Sequence, residues 1–164
     1  MQVKSVAFEN GRIADKYGVK GGDNGPAGMP LRSFPLDISG APPGTGSFAV
    51  ILEDPDSAPV CGFTWVHWLV AGLKHPRLEE DASRTANDLI QGANSWNGRG
   101  ASLKQASAYG GPNPPGQPHT YRLRVYALDF EPALKSGFSY DDLMRVAKGH
   151  ILARAELTGT YDPV

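Results

Sequence analysis

The chain has 164 residues, enough for one domain with a full core, and its 16 Lys and Arg against 17 Asp and Glu leave a formal net charge of −1. That balance excludes a basic face for nucleic acid and a polybasic patch for an anionic membrane, so any anion has to be held by a few placed donors. A hydrophobic content of 40% is ordinary for a globular fold, while 20 Gly and 14 Pro predict many turns and short elements.

The start, Met1–Phe8, has no long apolar stretch of the secretory type, and no run of about 18 apolar residues could span a bilayer. Cys61 stands alone and cannot form an intrachain disulfide, which predicts a reducing cytoplasm and a passive, half-buried thiol. In chain order, Val3–Phe8 reads as a first strand and residues 10–30 as a Gly-rich loop. Ser33–Ile38 reads as a short strand closed by the turn Gly40–Gly44. Ser47–Glu53 is almost continuously apolar and fits a strand buried on both faces. Val66–Leu73 is a second such run. Residues 77–105 read as a long irregular excursion with room for a helical turn. Arg122–Phe130 alternates, with Leu123, Val125 and Ala127 on one side and Arg122, Arg124, Tyr126 and Leu128 on the other. After Ser139, a plausible N-cap followed by Asp141 and Asp142, a helix runs towards Gly149. Alternate Ile151, Ala153, Ala155, Leu157, Gly159 and Tyr161 favour a last strand, although the composition also fits a continued helix. No internal repeat or linker divides the chain, so the expectation is a mainly β single domain over 1–164 with small peripheral helices.

Three segments at the ends of core strands could carry chemistry. In Glu53-Asp54-Pro55-Asp56-Ser57-Ala58-Pro59, the proline biases Asp54 towards extended backbone, which aims a carboxylate; the same residues also make an ordinary turn. In Trp65-Val66-His67-Trp68, strand alternation puts Trp65 and His67 on one face and Val66 and Trp68 on the other. Such a histidine serves a ligand or simply sits satisfied in the core. In Tyr109-Gly110-Gly111-Pro112-Asn113-Pro114-Pro115-Gly116-Gln117-Pro118-His119-Thr120-Tyr121, the glycines allow close backbone approach, and their N–H groups could cradle an anion. His119 and Tyr121 then share a strand face. Together these segments offer an Asp, two His, a Tyr and a Gly-rich loop, which suits recognition of phosphate or carboxylate without Lys or Arg.

Asp54-Pro55-Asp56-x-x-Pro59 followed by Val66-His67-Trp68-Leu69-Val70 resembles the first signature of the phosphatidylethanolamine-binding (Raf-kinase-inhibitor-like) protein family. Tyr109-Gly110-Gly111-Pro112-x-Pro114-Pro115 with His119-x-Tyr121-x-Leu123-x-Val125-Tyr126-Ala127-Leu128 resembles its second. Weaker matches at Phe8-x-x-Gly11-x-Ile13, Gln91-Gly92-x-Asn94-Ser95-Trp96 and Leu157-x-Gly159-x-Tyr161 extend the likeness over nearly the whole chain, which is similar to the bacterial branch. The resemblance implies a large antiparallel sheet packed on a smaller one, with a surface anion pocket. It implies that Asp54, His67, His119 and Tyr121 line that pocket and that Gly111, Pro114 and Pro115 wall it. Asp56 is expected to brace the first loop, and Ala58–Pro59 to be a cis bond. Small anions such as phosphate, acetate or phosphoethanolamine are the implied ligands, with no cofactor and no metal. Leu31–Asp37 and Thr120 depart from the family pattern. The chain also stops soon after Tyr161, which implies a more open site or one completed by a second copy in a homodimer.

Binding of a small anionic ligand is therefore the leading expectation, and inhibition of a kinase or serine protease through the surrounding loops is the alternative. Catalysis is not expected. Asp and His could support acid–base chemistry, yet the chain has no Gly-x-Ser-x-Gly elbow and no His-Glu-x-x-His helix. Ser95 and Ser107 are the hydroxyls worth testing, and His75 and His150 stand outside the cluster.

Overall fold

The protein, described over residues 1–164 by a computed structural model, is built on ten strands and four short helices. The strands are β1 (Gln2–Lys4), β2 (Phe8–Glu9), β3 (Arg12–Ile13), β4 (Leu36–Ser39), β5 (Ser47–Asp54), β6 (Trp65–Leu73), β7 (Arg77–Leu78), β8 (Ile90–Gln91), β9 (His119–Leu128) and β10 (Ile151–Tyr161). The helices are α1 (Ala58–Cys61), α2 (Ala82–Thr85), α3 (Leu103–Ala106) and α4 (Tyr140–Ala147). Seven strands form a large sheet in the order β2-β3-β10-β9-β5-β6-β8, and β1-β4-β7 form a small one. All pairings are antiparallel except β3 with β10.

The apolar run Ser47–Glu53 becomes the centre of the large sheet, and all eight residues of β5 are buried. Its even positions Phe48, Val50 and Leu52 join Leu123, Val125 and Ala127 in the main core, which Leu36, Ile38 and Leu78 of the small sheet close. We call this the inner face. The odd positions Ala49 and Ile51 join Tyr126 and Leu128 on the outer face, where Leu143 and Ala147 of α4 cover them. The alternation of β9 thus sorts as the sequence predicts. Helix α4 starts where expected: the Ser139 hydroxyl accepts from the Asp142 amide, and the Asp142 carboxylate accepts from the Ser139 amide. Residues 151–161 form a strand, not a continued helix.

Two expectations change. Val3–Phe8 is not one strand: the Ser5 hydroxyl accepts from the Ala7 amide and donates to the Pro35 carbonyl, breaking the segment into β1 in the small sheet and β2 in the large one. The strand expected from Ser33 begins at Leu36, since Pro35 offers no N–H to a ladder. No helix is long and apolar enough to cross a membrane.

Candidate functional site

The site begins with a fault in β6. Leu52 of β5 faces Trp68, but the next residue, Glu53, faces Val66, so His67 is an extra residue in its strand. This bulge corrects the alternation expected for the segment. Trp68 packs in the inner core and Val66 on the outer face, while His67 meets Tyr121, also of the inner core. His67 and Trp68 therefore both turn inward. A bulge re-aims a side chain at the cost of one ladder pair, and here the re-aimed side chain is the imidazole.

Asp54 ends β5 on the inner face and is 3% exposed. One carboxylate oxygen accepts from the Ser57 amide at 3.2 Å, and the other lies 2.7 Å from His119 Nδ1. A carboxylate only accepts, so Nδ1 carries the hydrogen and Nε2 is the free end of the ring. Burial raises the Asp54 carboxyl above its ordinary range, and the hydrogen bond from His119 offsets part of that rise. Asp56 accepts from the Thr120 amide at 2.8 Å, tying the first loop to the start of β9. The Ser57 hydroxyl donates within reach of the carbonyls of Asp54 and Phe63 and accepts from the Trp65 amide, so it staples the loop shut. The Ala58–Pro59 bond is trans, not cis. Ala58–Cys61 closes into the helical turn α1 with the proline in its first turn, where no amide hydrogen is needed.

The Gly-rich loop plays a different part from the one expected. The Gly110 amide donates to the His67 carbonyl and the Gly111 amide to the Pro30 carbonyl, so neither is available to an anion. A side chain at Gly110 would strike the Trp96 ring at 2.7 Å, and one at Gly111 would strike the Tyr17 carbonyl at 2.1 Å. The glycines let the loop approach the core, and what they present inward is oxygen. His67 Nδ1 lies 2.6 Å from the Gly110 carbonyl and 3.1 Å from that of Gly111, which fixes the hydrogen on Nδ1. The ring is held edge to face by Trp96 at 5.3 Å and Tyr121 at 5.1 Å. Burial holds His67 down to about 4, against the pull of the two carbonyls. Burial also drives the Tyr121 phenol far upward, with the nearby Asp54 charge adding to it.

These parts surround a cavity of about 330 Å³ lined by Asp54, Ser57, Val60, Cys61, Trp65, His67, Trp96, Asn113, Pro115 and His119. Of the residues singled out from the sequence, Asp54, His67, Pro115 and His119 reach its surface. Tyr121 backs His67, the Gly111 carbonyl holds it, Pro114 is buried in the wall, and Asp56 and Pro59 brace the first loop from outside. Sequence reasoning did not pick out Trp65, Trp96 and Asn113 as lining, although Trp96 closes the Gln91–Trp96 motif. That motif builds the wall: Asn94 accepts from the Trp96 amide and donates to the Ala108 carbonyl, and the Ser95 hydroxyl accepts from the Val66 amide. Ser95 is thus structural, and the Ser107 hydroxyl donates to the Leu103 carbonyl. Four buried side-chain atoms in the protein have no hydrogen-bond partner, and three belong to this region: His119 Nε2, Trp65 Nε1 and the Tyr121 hydroxyl. Buried polar groups are rarely left unpaired, so their clustering marks where a ligand is expected.

Behind the site, on the outer face of the same strand ends, Glu53 is 3% exposed and accepts from both Arg122 and Arg124. Arg124 also donates to the Tyr140 hydroxyl at 3.2 Å. Sequence reasoning gave these residues no role, though Glu53 adjoins Asp54 and the two arginines lie on the opposite face of β9 from His119 and Tyr121.

Known proteins extend this picture. The model of the family described as phosphatidylethanolamine-binding protein matches residues 3–162. The uncharacterized protein YxkA of Bacillus subtilis (strain 168) is 40% identical over 136 residues, covering 79% of this chain and 81% of its own. A UPF0098 protein of Methanothermobacter thermautotrophicus is 34% identical, with 98% of both chains covered. A solved structure described as a putative phosphatidylethanolamine-binding protein homolog, CT736 from Chlamydia trachomatis, superimposes with a TM-score of 0.80 at 33% identity and covers 99% of this chain and 97% of its own. With residues 3–162 matched by the family's model, and with these relatives and this two-sheet fold, the chain belongs to the phosphatidylethanolamine-binding protein family.

Proposed function

We propose that the protein binds small anionic ligands, phosphate or phosphorylated compounds, in the cavity between His67 and His119, as a ligand-binding or regulatory protein and not as a catalyst. The observation that carries this reading is the unpartnered, buried Nε2 of His119, whose opposite nitrogen is held by Asp54. When the ring carries a hydrogen on both nitrogens, Nε2–H donates to an arriving anion while Asp54 balances the charge across the ring. The indole N–H of Trp65 is a second donor without a partner. Val60 and the faces of Trp65 and Trp96 offer an apolar half for the rest of a ligand. Against chemistry, the one serine hydroxyl in the lining, that of Ser57, is occupied by main-chain groups on every side. The test is a crystal soaked in phosphoethanolamine. A phosphoryl group seated between the two imidazoles supports the reading, and density elsewhere or none at saturating ligand refutes it.

A second reading, inhibition of a kinase or serine protease, draws support from exposed apolar groups beside the cavity: Val60 in its lining is 56% exposed, and Phe63, stacked on the lining Trp65, is 37% exposed. Inhibition of either enzyme class that survives His67→Ala and His119→Ala, but not Val60→Asp, would favour it.

A further inference from the structure

Resting on the anion-binding reading, the two histidines of the cavity differ in a way that narrows the ligand. His119 has a carboxylate behind it, so a proton on Nε2 is balanced from the protein side. His67 has two carbonyl oxygens behind it and no carboxylate. Its Nδ1 is committed as a donor, no protein group is hydrogen-bonded to its Nε2, and the residue lines the cavity. The titratable side chains around the cavity are Asp54, Cys61 and His119, with Tyr121 behind the His67 ring. Asp54 is the one carboxylate among them, and it already binds His119. His67, enclosed by Trp96 and Tyr121, therefore stays neutral and turns a lone pair towards the ligand.

We propose that the cavity selects anions that carry a hydrogen: His119 Nε2 and Trp65 Nε1 donate to the ligand's oxygens, and His67 Nε2 accepts from a ligand P–OH. Hydrogen phosphate and phosphomonoesters present that hydrogen. Sulfate and phosphodiesters, including the headgroup linkage of an intact phospholipid, do not. With a ligand of the second kind, the His67 lone pair would face an anionic oxygen, with repulsion added to an unmade hydrogen bond. The low pKa of His67 agrees with this assignment, which stands on the fixed Nδ1–H and the absence of a carboxylate at that ring.

The experiment compares affinities at constant ionic strength. At about pH 8, phosphate and sulfate are both dianions of similar shape, and only phosphate carries a hydrogen. Methyl phosphate and dimethyl phosphate at about pH 5 make the corresponding monoester and diester pair, with no amine to confuse the contact. Expected are preferences of about tenfold or more for phosphate over sulfate and for methyl phosphate over dimethyl phosphate, the scale of an unsatisfied buried acceptor. Affinity for methyl phosphate should also fall as rising pH strips its last proton. His67→Phe keeps the aromatic packing and should abolish both preferences. If that variant does not fold, long-range ¹⁵N spectra of the wild type decide instead, and they must show His67 bare at Nε2 with phosphate bound. Equal affinities, or a proton on His67 Nε2, overturn the proposal and leave the anion site standing. No binding of any of the four anions overturns both.

Discussion

The two faces of the large sheet carry opposite kinds of ionic chemistry at the same strand ends. On the outer face Glu53 takes hydrogen bonds from two arginines on both carboxylate oxygens, and only Arg124 Nε is left without a partner there. On the inner face, one residue along, Asp54 holds one nitrogen of His119 and leaves the other end of the ring without a partner. Neighbouring carboxylates on one strand thus do different work. One has both oxygens committed to arginine, and the other holds a histidine whose far nitrogen has no partner. The difference teaches where to look for function: where the unpartnered groups cluster, three on the inner side against one on the outer, and not where there is more charge.

Removing the carboxylate of the outer network should cost the most. Glu53→Ala strips the carboxylate from between Arg122 and Arg124, of which Arg124 is largely buried. The expected loss of stability is about 3 kcal/mol, the lower end for a broken buried pair because Arg122 can turn to water. Urea unfolding measures it, and phosphate affinity should be unchanged in the folded variant.

A comparable effect should come from acid. The folded pKa of His67, about 4, lies below its ordinary value of 6.5, so between those pH values the unfolded chain binds a proton that the folded one refuses. Stability supplied by this residue is present above about pH 6.5 and is lost as pH falls towards 4, roughly 3 kcal/mol in all. Asp54, whose folded pKa is raised, acts in the opposite sense: at acid pH the folded state holds its proton more tightly than the unfolded one. Unfolding curves over this range should lose the His67 slope in His67→Phe.

The inner pair should trade stability against binding. Asp54→Asn removes a buried charge whose ionisation burial opposes, and the amide oxygen still accepts from the Ser57 amide. Stability near neutral pH should hold or rise slightly, while phosphate affinity falls about tenfold for want of a counter-charge behind His119. Loss of both together would mean that Asp54 is a structural residue like Glu53. Smallest of all should be Arg122→Ala, which leaves Arg124 on Glu53 and removes a half-exposed partner. A change within about 1 kcal/mol is expected in the same unfolding assay.

Much of this was legible in the chain. The both-faces burial of β5, the alternation of β9 and the cap at Ser139 follow from residue spacing alone, and the two long motifs located Asp54, His67 and His119. Periodicity could not show the bulge at His67, because one extra residue changes the face of a side chain without changing its neighbours in sequence. Glycine content could not tell whether the Gly110–Gly111 amides face a ligand or the core, since both uses need the same freedom. The Glu53 network was missed for a related reason: its partners lie about 70 residues away and meet only across β5 and β9.

The most direct test is an NMR titration of the imidazole resonances with inorganic phosphate, for which the four histidines supply their own control. His67 and His119 line the cavity, whereas His75 and His150 lie outside it. The account predicts saturable shifts at His67 and His119, with His75 and His150 unmoved at the same ligand concentrations. Unchanged His67 and His119 signals at millimolar phosphate, or equal drift of all four, would contradict it.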